Sequence, residues 1–211
     1  MFTDRIEAGM LLAEKLKKYQ GKPGVILAVP RGGVPVAYAV ARELGLPLDL
    51  VLTKKIGHPV NREYAIGAVS LTDSFVIPYR GISQFYIDQE IKTIRQRLKE
   101  MYRKFMGDQE PASLAGKTVV VIDDGVATGN TLLGTINMLR KNNPSKIVIA
   151  VPVASESAAK KLSQAADELV VVLIPEEFHG VGAFYENFEQ VNDEEVMFYL
   201  DKWRREIKKA G

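Results

Sequence analysis

Apolar strands alternating with amphipathic helices mark this chain as an α/β protein: a mostly parallel sheet flanked by helices, with a small hood and a long helical insertion. Three observations carry that expectation. Residues 24–29 (GVILAV) and Thr118–Ile122 (TVVVI) are short, almost wholly apolar runs of the kind buried on both faces of a parallel sheet. Each is followed by glycines and then by a helical pattern, as in a strand–loop–helix unit. The 211 residues are 46% apolar and 26% charged, close to the globular average, and long enough to bury a full core.

The elements follow in order. An amphipathic helix opens the chain over residues 4–19, with Ile6, Met10, Leu11, Ala13 and Leu16 at its apolar positions and Thr3 or Asp4 as its cap. A buried strand at 24–29 leads to a helix at 34–44 and a second strand at 48–53. Residues 66–71 and 75–77 are short strand candidates. Residues 83–106 carry a long helical pattern, with Ile87, Ile91, Ile94, Leu98, Tyr102 and Phe105 spaced by three and four. After Thr118–Ile122 come a helix at 131–141, a strand at 147–151, a helix at 155–166 and a strand at 169–174. Asn192 and Glu195 have the spacing of a capping box and start a C-terminal helix. The stretches 57–62, 107–116 and 175–191 read as irregular, but all lie inside the alternation. One domain over residues 1–211 is therefore expected, with its hood drawn from 1–20 and 175–192 and its insertion at about 83–106.

Composition excludes several function classes. With no cysteine there is no disulfide framework, thiolate nucleophile or Cys-based metal site, and two histidines, His58 and His179, do not make a His-rich metal centre. A net charge of +2 gives no reason to expect a nucleic-acid partner. No apolar run approaches the roughly 18 residues of a membrane span. Met1-Phe2-Thr3-Asp4-Arg5 lacks the regions of a signal peptide, so a cytoplasmic protein without a membrane partner is expected.

The chemistry concentrates in VVVIDDGVATGNT, residues 119–131. An apolar strand runs into Asp123 and Asp124, small residues follow, and a helix begins. Ligands of open α/β sheets lie beyond the carboxyl ends of strands, so the acids and the loop should face one. Gly125, Ala127 and Gly129 let backbone N–H groups turn inward as an anion nest, the helix adds its positive dipole end, and Thr128 and Thr131 add hydroxyls. The loop carries no cation, so a phosphate there is held by dipoles. The two acids would repel that phosphate and must serve another part of the ligand: vicinal hydroxyls, a ring nitrogen or a metal. Acids beside a phosphate cradle suggest a sugar phosphate. A Walker A loop is excluded, because Gly125 to Thr131 is one residue short and lacks the lysine; the Gly180-Val-Gly182 pair has Tyr185 where a dinucleotide fingerprint needs its third glycine. An ordinary acidic turn is the alternative to a ligand loop.

This segment resembles the phosphoribosyl pyrophosphate (PRPP) motif of type I phosphoribosyltransferases: four apolar residues, two acids, and a small-residue loop ending in T-G-x-[ST]. The resemblance extends over most of the chain, and in particular to a group of predicted phosphoribosyltransferases of about this length. It implies that Asp123 and Asp124 bind the ribose hydroxyls. The 5′-phosphate would lie on Gly125, Val126, Ala127, Thr128, Gly129, Asn130 and Thr131. It also implies a diphosphate loop at Pro30-Arg31-Gly32-Gly33, with a cis non-proline peptide at or beside Arg31. Lys54 and Lys55 would be candidates to meet the departing diphosphate, Lys55 as a catalytic group, beside a flexible loop at 57–63 that includes Arg62 and leads back to Gly67 and Ala68. Mg2+ would be held through the substrate's phosphates with no direct protein ligand.

The implied activity is transfer of the phosphoribosyl group from PRPP to a nitrogenous base or amine, with release of pyrophosphate. The hood aromatics Phe178, Phe184, Tyr185 and Phe188 would either stack on the acceptor or cover the sheet edge. Val126 and Ala127 stand where relatives often place a general base, which leaves Asp124, the hood or solvent for that role. The resemblance also allows a homodimer. Two other activities compete: a PRPP-binding regulator without turnover, using basic residues of the 83–106 helix, and a metal-dependent phosphohydrolase, which lacks the further acids a two-metal site needs.

Overall fold

A computed structural model describes residues 1–210. In chain order its elements are α1 (Arg5–Leu16), β1 (Gly24–Ala28), α2 (Gly33–Leu44), β2 (Leu48–Leu50), β3 (Thr53–Gly57), β4 (Ala65–Ser70), β5 (Ser74–Val76) and α3 (Gln84–Met106). There follow β6 (Thr118–Ile122), α4 (Asn130–Arg140), β7 (Lys146–Val153), α5 (Glu156–Ala165), β8 (Glu168–Leu173) and α6 (Asp193–Ala210).

The chain forms two compact units, one of residues 1–51 with 110–211 and one of residues 52–109. This division is finer than the single domain expected over 1–211. Its cause is local: residues 52–109 build a small sheet and helix of their own.

The larger unit holds a five-stranded sheet in the order β2-β1-β6-β7-β8, parallel throughout. The apolar runs make it so. Val25 to Ala28, Val119 to Ile122 and Ile147 to Val151 are buried, because helices cover both faces. One helix, α2, is itself almost wholly buried and packs against α1. At Gly9 a Cβ would lie 2.7 Å from both the Ala39 Cβ and the Val36 carbonyl, so only glycine permits that approach. Asp49, buried on β2, accepts a hydrogen bond from the Ala112 N–H and fastens the segment before β6 to the sheet.

The order of connection positions the site. From β1 the chain moves outward to β2, and from β6 it moves the other way to β7 and β8. The direction therefore reverses between the neighbours β1 and β6, whose residues Ala28 and Ile122 are partners at the carboxyl ends. Such a reversal opens a crevice beyond the strands.

In the smaller unit β3, β4 and β5 form an antiparallel sheet on which α3 packs. Here the structure departs from the second strand expected at 48–53. That stretch ends as β2 at Leu50, and Thr53 begins a separate strand, where Ile56 and Val69 are buried. The long helix agrees with expectation: the Ser83 hydroxyl caps it by accepting from the Tyr86 N–H, and Gly107 closes it at φ +69°. The capping box of α6 also forms, the Glu195 N–H donating to Asn192 Oδ1 at 2.8 Å and the Asn192 N–H to Glu195 Oε2 at 3.4 Å.

Candidate active site

β6 delivers Asp123 and Asp124 to the crevice at the centre of the sheet. Asp123 Oδ1 accepts from the Asp124 N–H at 2.9 Å, which holds the first carboxylate against its own backbone. Both residues keep some solvent contact. Burial nevertheless pushes both carboxyls above their ordinary value. Asp123 is pushed well above it, with the neighbouring Asp124 charge adding to the effect of burial.

The loop that follows is pinned from behind. The Val126 N–H donates to the Val153 carbonyl, the Ser155 N–H to the Val126 carbonyl, and the Ser155 hydroxyl to the Ala127 carbonyl at 2.6 Å. Lys161 of α5 reaches both the Thr128 carbonyl, at 2.9 Å, and Asn130 Oδ1, at 3.0 Å. The side chains of Ala127, Thr128 and Thr131 stay exposed. Gly129 stands before α4 in the left-handed region at φ +74° and offers no side-chain cap, so the first turn of α4 presents its N–H groups uncapped by a side chain. An uncapped helix N-terminus after a small-residue loop is suited to an anion. The helix starts at Asn130, one residue earlier than expected.

The loop after β1 lies against the acid pair. The Pro30–Arg31 peptide bond is cis, where the resemblance places one. A Cβ on Gly32 would collide with the Asp124 carboxylate, and one on Gly33 would lie 2.7 Å from the Ile122 carbonyl and 2.9 Å from the Asp123 Cα. Both glycines are there because the other loop occupies the space a side chain needs. Arg31 turns to α6, its Nε donating to Asp193 Oδ1 at 2.6 Å. The structure thus brings Gly32 and Gly33 against Ile122, Asp123 and Asp124, while the Arg31 side chain is held by Asp193.

Arg5, in the first turn of α1, was not singled out from sequence. Its Nε donates to Asp124 Oδ2 at 2.9 Å, and its Nη1 donates to the Glu189 carbonyl at 2.9 Å. Its guanidinium carbon lies 3.9 Å from the centroid of the Phe188 ring. This cation works against burial at Asp124 and lowers its carboxyl relative to where burial alone would put it. Tyr185 adds a second tie, its hydroxyl donating to the Asp124 carbonyl at 2.6 Å, and burial pushes that phenol far up. One weak signal for Arg5 existed: a cation in a helix's first turn opposes the dipole and calls for a partner elsewhere.

The N-terminus and the 175–191 stretch meet through backbone hydrogen bonds. The Phe2 N–H donates to the Phe184 carbonyl and the Phe2 carbonyl accepts from the Glu186 N–H, both at 2.8 Å. The hood aromatics settle as packing: Phe2, Tyr185, Phe178, Phe184 and Phe188 cluster with Val153 and Leu173 at the sheet's edge. Asp4, Arg5, Glu189, Glu195 and Tyr199 line an adjoining cavity of about 130 Å3.

Lys54 and Lys55 belong to the smaller unit. Both are exposed on β3, and Lys55 pairs with Glu63 at 2.9 Å. His58 lies in the connection to β4, where Nδ1 accepts from the Val60 N–H. Among the described residues no group of three or more His, Asp or Glu could hold a metal ion, and no helix is long and apolar enough to cross a membrane.

A family model described as the phosphoribosyl transferase domain matches residues 4–186. The chain belongs to the phosphoribosyl transferase family. Its relatives include a Mycobacterium tuberculosis (strain H37Rv) protein provisionally named a phosphoribosyl transferase, 35% identical over 216 residues. All of this chain aligns, but it spans about half, 49%, of that relative's length. An amidophosphoribosyltransferase of Rhizobium etli is 26% identical over 151 residues, covering 72% of this chain and 24% of the relative. The crystal structure of TT1426 from Thermus thermophilus superposes with a TM-score of 0.85 at 40% identity, covering 96% of this chain and 99% of that one. In this chain the acid pair, the small-residue loop and the loop after β1 all fall within the matched residues.

Proposed function

We propose that this chain moves the 5-phosphoribosyl group of PRPP to a nitrogenous base or amine and releases pyrophosphate. The observation that carries the reading is the meeting, at the chain-reversal crevice between β1 and β6, of an acid pair, an uncapped helix N-terminus and a glycine loop bearing an arginine. Each suits a different part of one ligand. Asp123 and Asp124 accept from the ribose hydroxyls. The backbone of residues 125–131, with the Thr128 and Thr131 hydroxyls, takes the 5′-phosphate. Arg31 and the amides of Gly32 and Gly33 take the diphosphate, the guanidinium as a two-pronged donor. Lys54 and Lys55 keep the role that the resemblance gives them.

Displacement at the anomeric carbon passes through a ribose with cationic character, which carboxylates beneath the ring favour. Mg2+ fits a site whose phosphate-facing loop offers amides and a guanidinium: it would ride on the substrate's phosphate oxygens and water, neutralising the leaving diphosphate. A cytoplasmic location accords with PRPP as substrate.

The test is pyrophosphate release from Mg-PRPP, measured with a panel of purines, pyrimidines and amines. The wild type should release it with one acceptor class, and Asp123→Asn with Asp124→Asn should abolish release. Release without any acceptor dependence would contradict the transferase reading.

A further inference from the structure

We propose that Arg5 is a positioning residue for the PRPP site: it fixes the Asp124 carboxylate over Gly32 and supplies the cation that the acid pair lacks in its own loop. The inference rests on the PRPP reading of that pair. Two adjacent carboxylates at the end of a buried strand repel one another, and residues 125–131 contain no cation to relieve them. The groups facing Asp124 are few. The Asp124 charge raises the Asp123 carboxyl, while a side-chain hydrogen bond with Asp123 lowers that of Asp124, and Tyr185 contributes a phenol on the Asp124 carbonyl. The loop after β1 presents uncharged Gly32, while Arg31 is directed to Asp193. Arg5 is the cation set against the pair, and it comes from 119 residues away.

Its geometry is that of a fixed strut. One edge of the guanidinium holds the carboxylate and another the Glu189 carbonyl; its face lies on Phe188, and the side chain is only 11% exposed. An arginine that merely filled space would need neither contact. At the start of α1 it also opposes the helix dipole, a placement that the Asp124 pair offsets. A planar fork held on three sides orients its partner as a lysine would not. The hood is thereby tied to the ribose-binding acid, so a displaced N-terminal segment would release Asp124.

The test compares wild type, Arg5→Gln and Arg5→Lys in two measurements. The first is a carboxyl carbon NMR titration of Asp124 in the ligand-free protein. Removing the cation should move its midpoint to higher pH. The second is calorimetric titration with Mg-PRPP across acid to alkaline pH. Arg5→Gln should bind about tenfold to a hundredfold more weakly at neutral pH and recover partly as pH rises, because the carboxylate is then ionised without help. Arg5→Lys should fall between the two. A folded Arg5→Gln with an unmoved midpoint, or with wild-type affinity and pH dependence, would overturn the proposal. If Arg5→Gln does not fold, Arg5→Lys decides, and wild-type values of both quantities would overturn it. Failure of the wild type to bind PRPP would contradict the proposed function, while the NMR midpoint would still decide the Arg5–Asp124 coupling.

Discussion

At the scale of single residues the site is a set of charges held out of their preferred state. Asp123 is pushed well above its ordinary range by burial and then by the Asp124 charge. A carboxyl whose value is higher folded than unfolded stabilises the fold below its ordinary value, and that contribution is lost as pH rises through the folded value. Asp123→Asn removes the partly buried charge and keeps an oxygen for the Asp124 N–H. The variant should therefore be more stable than wild type by about 1–3 kcal/mol at about pH 8, with the gap closing towards acid pH. Thermal melts across pH check this, and a variant less stable at alkaline pH would contradict it. Gly32 gives the second prediction. A Cβ there collides with the Asp124 carboxylate, so Gly32→Ala should weaken Mg-PRPP binding about a hundredfold while α2 still forms. Circular dichroism and calorimetry on the same sample separate the two effects. The acid pair itself was legible in the sequence because it ends an apolar run. Arg5 was not, because nothing local links it to a partner 119 residues on.

Among the elements, those with self-contained signals were read best. β6 has the bounds expected, Thr118–Ile122, because its apolar run starts after a glycine and lysine and ends at two acids. The start of α6 was visible as Asn192 and Glu195, whose reciprocal bonds form within one turn. β3 was missed: Thr53-Lys54-Lys55-Ile56-Gly57 shows little apolar alternation, and its pairing with β4 is decided by tertiary context. α6 also has a role that lies beyond its own sequence, since its first residue, Asp193, holds Arg31 at 2.6 Å. In the proposed reading a diphosphate replaces that contact. Arg31 is exposed and Asp193 partly so, and such a pair is worth about 0–1 kcal/mol, so Asp193→Asn should bind Mg-PRPP up to about fivefold more tightly. Weaker binding by a folded Asp193→Asn would mean that Asp193 positions Arg31 for the ligand.

For the whole molecule, the proposed function rests on strand order. The sheet runs β2-β1-β6-β7-β8, so the adjacent strands from which the chain departs in opposite directions are β1 and β6, and both loops proposed to hold the ligand follow those strands. The α/β class and the parallel sheet were legible in the alternation of elements. The separate unit of residues 52–109 was not, because strands at 66–71 and 75–77 carry no mark of which sheet they join. The proposed function requires that this crevice take PRPP. Calorimetric titration of the wild type and of the Asp123→Asn, Asp124→Asn double variant with Mg-PRPP tests it most directly. The wild type should show saturable one-to-one binding, lost in a double variant that remains folded. Equal binding by both proteins, or none by a folded wild type, would contradict it.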